Sequence, residues 1–92
     1  MSVVAIRDPR LTEADVSSVI ARAYKMIHDG IAGACIPVET EDGELMVAVL
    51  DPENEDLLYG FGRDRAGYYV FDTLGRPLAH GRYIEDVLAV LP

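Results

Sequence analysis

LLYGFGRDRAGYYVFDT, residues 57–73, is the stretch that decides how this chain folds. Leu57–Arg63 and Tyr68–Thr73 are short runs rich in apolar and aromatic residues, and Asp64-Arg65-Ala66-Gly67 between them has turn chemistry. The two runs read as an antiparallel hairpin. Pairing Arg63 with Tyr68 sets Gly62 against Tyr69 and Gly60 against Phe71. Glycine inside a strand leaves the backbone bare, and a ring from the next strand can lie across it. Two glycines in one strand are therefore compatible with a sheet.

Working upstream, Ala34–Glu41 and Glu44–Asp51 flank Asp42-Gly43, a pair favoured in two-residue type I′ turns. Such a turn places Ile36 opposite Val49 and Val38 opposite Val47 on one side of the sheet. Cys35 then faces Leu50, and Pro37 faces Ala48, on the other. Pro37 has no N–H to donate, so this strand is expected at an edge or at a bulge. Leu45–Leu50 is apolar at every position, which predicts a covered, more central strand. Asp51-Pro-Glu-Asn-Glu-Asp56 links the hairpins as a loop. Downstream, Thr73-Leu-Gly-Arg76 is a turn leading to a short strand around Leu78–Gly81.

Helices are expected at both ends. Thr12 is a capping residue with Asp15 three positions on, and Ala14, Val16, Val19, Ile20, Ala23 and Ile27 follow at helical spacing. Gly30 is placed to stop that helix. Tyr83 to Leu91 presents Ile84, Val87, Leu88 and Leu91 on one face, without a good capping residue. The expected fold is α+β over residues 1–92 as a single domain: an antiparallel β-meander of four to five strands, with an N-terminal helix and a short C-terminal helix packed on the sheet.

Composition narrows the functional classes. Half of the 92 residues are hydrophobic and Cys35 is the only cysteine, so a disulfide-stapled secreted domain is not expected. Neither a signal-peptide pattern nor an apolar run long enough for a membrane span is present, which points to a cytoplasmic protein. Net charge is −8, and it is concentrated. Residues 26–62 hold nine carboxylates and no Lys or Arg. Such a segment repels phosphate backbones and anionic membranes and attracts a basic protein.

No catalytic or metal-binding pattern stands out. His28, Cys35 and His80 share no ligand-like spacing, and neither acidic stretch has the alternating ligands of a calcium loop. Gly60-Phe-Gly62-Arg63 does not open a helix and is too short to cradle phosphate, and no serine has a recognisable base. No cofactor is expected. Tyr69-Val-Phe-Asp72-Thr-Leu-Gly75-Arg76 resembles one unit of a tyrosine–aspartate repeat of large bacterial shell proteins. It occurs once, turn chemistry accounts for it, and it implies nothing further.

Two groups of residues remain as binding candidates. Glu39, Glu41, Asp42, Glu44, Glu53, Glu55 and Asp56 form a protein-binding acidic face if the fold gathers them. Tyr59, Arg63, Arg65, Tyr68, Arg76 and Arg82 are residue types that anchor interfaces, and most of the rings are expected to fill the core. The preferred functional expectation is a small acidic, non-enzymatic interaction module of bacterial or phage type. Its partner would be a basic, nucleic-acid-binding protein surface, which it would inhibit by occupation. The alternative is a ligand-sensing or accessory subunit of a cytoplasmic bacterial enzyme complex, and a small enzyme built around His80 and the tyrosines ranks last. Self-association as a homodimer is open.

Overall fold

The computed structural model describes residues 10–41 and 43–92, and among them the chain runs helix, five strands, helix. Helix α1 (Glu13–His28) precedes β1 (Ala34–Glu39), β2 (Leu45–Leu50), β3 (Leu57–Asp64), β4 (Gly67–Asp72), β5 (Pro77–Gly81) and helix α2 (Ile84–Leu88). The strands form one antiparallel sheet in the order β1-β2-β3-β4-β5, the α+β meander expected from the sequence. Among the described residues no helix is long and apolar enough to cross a membrane.

Helix α1 begins where its sequence directs. The Thr12 hydroxyl accepts from the Asp15 N–H at 3.1 Å, and Asp15 Oδ2 accepts from the Thr12 N–H at 2.9 Å, satisfying two end donors reciprocally. Gly30 ends it at φ 77°. The buried line is Val19, Ala23 and Met26, with Val16 and Ile27 at its margins. Ile20 is only half-buried and Ala14 is exposed, so the stripe is rotated from the expected one toward Met26. Residues 19, 23 and 26 form one i, i+4, i+7 line, and an unbranched methionine adapts to the sheet below.

Helix α1 packs over β1 and β2, and α2 over β4 and β5. Both use the same side of the sheet. On that side Val47, Phe61, Val70 and Ala79 are successive cross-strand partners, and the first three are at most 1 % exposed. Leu11, Ala32 and Leu91, outside the regular elements, complete this core.

Helix α2 is shorter than the expected Tyr83–Leu91. Tyr83 supplies no side-chain cap, and its N–H instead donates to Asp86 Oδ2 at 3.0 Å. At the other end Arg22 of α1 donates to the carbonyls of Leu91 and Pro92 at 3.0 and 3.3 Å. The carbonyls of Val87 and Leu88 at the helix end accept from the Val90 and Leu91 N–H groups in tighter turns, so no further α-helical turn is needed.

The β3–β4 hairpin has the expected register: Arg63 opposite Tyr68, Gly62 opposite Tyr69, Gly60 opposite Phe71. Asp64 Oδ1 accepts from the Ala66 and Gly67 N–H groups and pins the turn. The β1–β2 hairpin differs by one residue. Cys35 pairs with Val49, Ile36 with Ala48, Pro37 with Val47 and Val38 with Met46. Thr40 N–H donates to the Glu44 carbonyl at 2.9 Å, and Glu44 N–H donates to the Thr40 hydroxyl at 3.1 Å. The loop is therefore three residues, 41–43, closed by Gly43 at φ 80°. A two-residue type I′ turn would need two successive residues at positive φ. A three-residue loop needs one, and the Thr40 hydroxyl favours closure one position earlier. Asp42 lies outside the described residues.

Strand side chains alternate, so this one-residue offset changes which face each β1 residue joins. Cys35 and Pro37 accompany Val49 and Val47 on the helix-covered side. Ile36 and Val38 are turned to the opposite face, where they are 43 % and 39 % exposed.

Candidate interaction surface

Neither helix covers that opposite face. Across it run Ile36, Ala48, Gly60 and Phe71 as successive cross-strand partners. A second row holds Val38 with Met46, then Gly62, Tyr69 and His80. The rings of Phe71 and Tyr69 lie directly over Gly60 and Gly62, where a Cβ atom would collide with them. The two rings stack with centroids 6.2 Å apart and planes 24° from parallel. The glycines thus leave room for the rings to lie flat on the sheet, and the rings keep both glycines buried. Leu45–Leu50, expected to be covered on both sides, has a helix over one side only. On the other, Met46, Ala48 and Leu50 are half-buried.

Among the described residues the middle of this face carries no charged side chain. Its rim at the turn end is polar. Glu44 and Asp64 lie near Tyr69, whose phenol is pushed up by burial first and then by these two negative charges. His80 Nε2 is 3.7 Å from Asp64 Oδ1. The described part of the face is apolar and aromatic, with acidic groups at one margin, which suits packing against another apolar protein surface. Among the described residues it presents none of the lysines and arginines that a phosphate backbone would require.

The acidic residues singled out in the sequence are not gathered into one face. Glu39, Glu41 and Glu44 sit at the β1–β2 turn, and Glu53, Glu55 and Asp56 sit in the β2–β3 loop. These lie at opposite ends of β2, a six-residue strand. Six extended residues span about 20 Å, beyond the ~8 Å screening length at physiological salt, so the two groups act independently. The β2–β3 loop is held by its polar neighbours. Asp51 Oδ1 accepts from Glu53 and Asn54 N–H, and Asn54 Oδ1 accepts from Asp56 N–H, while Glu55 sits at φ 61°. Glu53, Glu55 and Asp56 are exposed.

The second candidate group also divides. Tyr68 is a core residue on the helix-covered side, and its hydroxyl donates to Asp15 Oδ1 at 3.0 Å, tying β4 to the start of α1. Burial, with help from Asp15, pushes its phenol up. Arg63 lies over the Tyr68 ring at 4.9 Å. Arg65 and Arg82 are exposed at the same end of the sheet. Arg76 is at the far end, where its Nε donates to Asp72 Oδ2 at 2.9 Å. The Arg76 and Leu74 N–H groups and the Arg76 guanidinium hold the Asp72 carboxyl below the ordinary range against some desolvation. Tyr59 pairs with Asp72 and Val49 and packs on the core.

Cys35 is half-buried beside Val49, and burial pushes its thiol up to about 11, so it stays protonated at neutral pH. Among the described residues no group of three or more His, Cys, Asp or Glu side chains is placed to hold a metal ion. The residues that make up the open face were visible in the sequence as strand residues, but only Tyr69 and Phe71 carried a local signal, through their glycine partners. No family model matches the chain, and no curated protein or solved structure matches it, so the candidate surface stands on its own geometry.

Proposed function

We propose that this protein is a non-catalytic interaction module that binds another protein through the open face of its sheet. One observation carries the reading: a five-stranded sheet has both helices on one side, while the other side is paved by Tyr69 and Phe71 and flanked by Ile36, Val38 and Met46. Scattered exposed apolar residues are ordinary on any surface. A contiguous row of them with flattened rings is the pattern of a contact surface. A second reading keeps the acidic character. Glu53, Glu55 and Asp56 project from a loop shaped by Asp51 and Asn54, and would attract a basic, nucleic-acid-binding protein surface that the module then blocks.

A photo-crosslinking side chain separates these. Placed at Val38, it should give discrete adducts in cells, while the same group at exposed Leu74, off the face, should not. Adducts from position 55 and none from position 38 would replace the first reading with the second. Indistinguishable patterns from 38 and 74 would remove the open face as a contact surface.

A further inference from the structure

We propose that the occupant of the open face is a second copy of this chain, packed sheet against sheet about a two-fold axis. The inference rests on the reading of that face as a contact surface, and three features select the partner.

Size comes first. Five strands about 4.8 Å apart and six residues long at about 3.4 Å per residue give a face of roughly 24 by 20 Å, close to 480 Å². Paired with itself it buries about 1,000 Å² in total, the lower bound for a specific interface. The association is therefore weak and concentration-dependent.

Shape comes next. Gly60 and Gly62 let the Phe71 and Tyr69 rings lie along the sheet, so no bulky group prevents a second sheet from approaching to the ~10 Å of a packed pair. Met46 on β2 borders the glycine strand that the rings cover, Ile36 and Val38 lie one strand farther out on β1, and these supply the side chains that would interdigitate with the other copy. A two-fold interface needs one patch that is complementary to itself, and an uncharged apolar face meets that condition.

Charge comes last. The described carboxylates sit in the helices, the loops and the strand ends, with none in the middle of the face, so a basic partner gains nothing there. Two copies of a chain of net charge −8 repel each other through those ends. Salt should screen that repulsion and strengthen the pair, whereas it weakens a complex held by opposite charges.

Sedimentation of the purified full chain, from micromolar to near-millimolar concentration and at low and high salt, tests this. The expected result is a monomer–dimer equilibrium that shifts toward dimer as salt rises. Ile36→Glu and Val38→Glu should each weaken it tenfold or more, with circular dichroism and melting confirming the fold. Leu74→Glu, adding the same charge off the face, should leave it unchanged. A dimer equally sensitive to all three variants, or one that dissociates in salt, overturns the proposal. A wild-type monomer at every concentration also overturns it. If that monomer still cross-links from position 38 to a heavier protein, only the second copy falls. If it gives no adduct, the contact surface falls as well.

Discussion

Phe61 and Phe71 stand on neighbouring strands of the same sheet, yet they have different physical roles. Phe61 faces the helices and is 1 % exposed, between Val47 and Val70. Phe71 faces outward, half-buried, with its ring over Gly60. The first is held by a packed layer and the second by the absence of a neighbouring Cβ. Both helices and the buried core lie on one side of the sheet, and among the described residues no helix packs on the other.

That difference can be broken most sharply by truncating both rings. Phe61→Ala should cost about 3–5 kcal/mol, a large part of the stability of a small domain. Phe71→Ala should cost about 1–2 kcal/mol, because its ring is half-exposed and leaves no closed cavity. Urea midpoints read both, and equal losses would mean the outer face is packed like the inner one.

The next effect concerns the turn that puts Ile36 and Val38 outward. Gly43→Val forces a β-branched residue to φ 80° and should cost about 1–2 kcal/mol. An unchanged urea midpoint would mean that the three-residue loop does not hold the register.

Tyr68→Phe removes the hydroxyl that reaches Asp15 and should cost about 1 kcal/mol, testing the link between sheet and helix on the covered side. Alkaline titration sharpens the same side. Folding raises the Cys35 and Tyr68 values, so the folded state holds these protons longer than the unfolded state. Their stabilisation is fully present below pH 9. For Cys35 it is lost as pH rises from its unfolded value toward about 11, and for Tyr68 the loss begins near pH 10. Cys35→Ala should flatten the earlier part of that decline in a pH series of urea melts. A decline of unchanged shape would remove Cys35 as its source.

The smallest effect is expected outside. Ile36→Thr at low protein concentration should cost no more than about 1 kcal/mol, since the side chain is 43 % exposed in the single chain. A loss several times larger would mean that the face is covered within one copy.

Much of this was legible in the residues, and what was not has an identifiable cause. Thr12 and Asp15 announce the helix start through short-range hydrogen bonds that any local context would allow. Gly60 and Gly62 opposite Phe71 and Tyr69 announce the β3–β4 register, because that alignment both shields the glycines and closes the turn on Asp64. The acidic set was legible as composition but not as a surface. Adjacency in sequence across a strand becomes separation in space, so Glu44 and Glu53 belong to different ends of the molecule. Met26 escaped the helical stripe because which line of a helix is buried depends on where the sheet lies beneath it.

By itself the sequence determined the order of elements, the helix start, and the pairing of β3 with β4, since each rests on contacts between residues near in the chain. The side of the sheet on which Ile36 and Val38 emerge was decided only by the tertiary structure. Two- and three-residue loops ending at Gly43 are both locally acceptable, and the choice between them reverses every side chain of β1. Packing of α1 and α2 on a single side settles it: half-buried Cys35 accompanies Val49 toward the helices, Pro37 shares that side at the exposed edge of the sheet, and the branched chains Ile36 and Val38 join the open face with Phe71 and Tyr69.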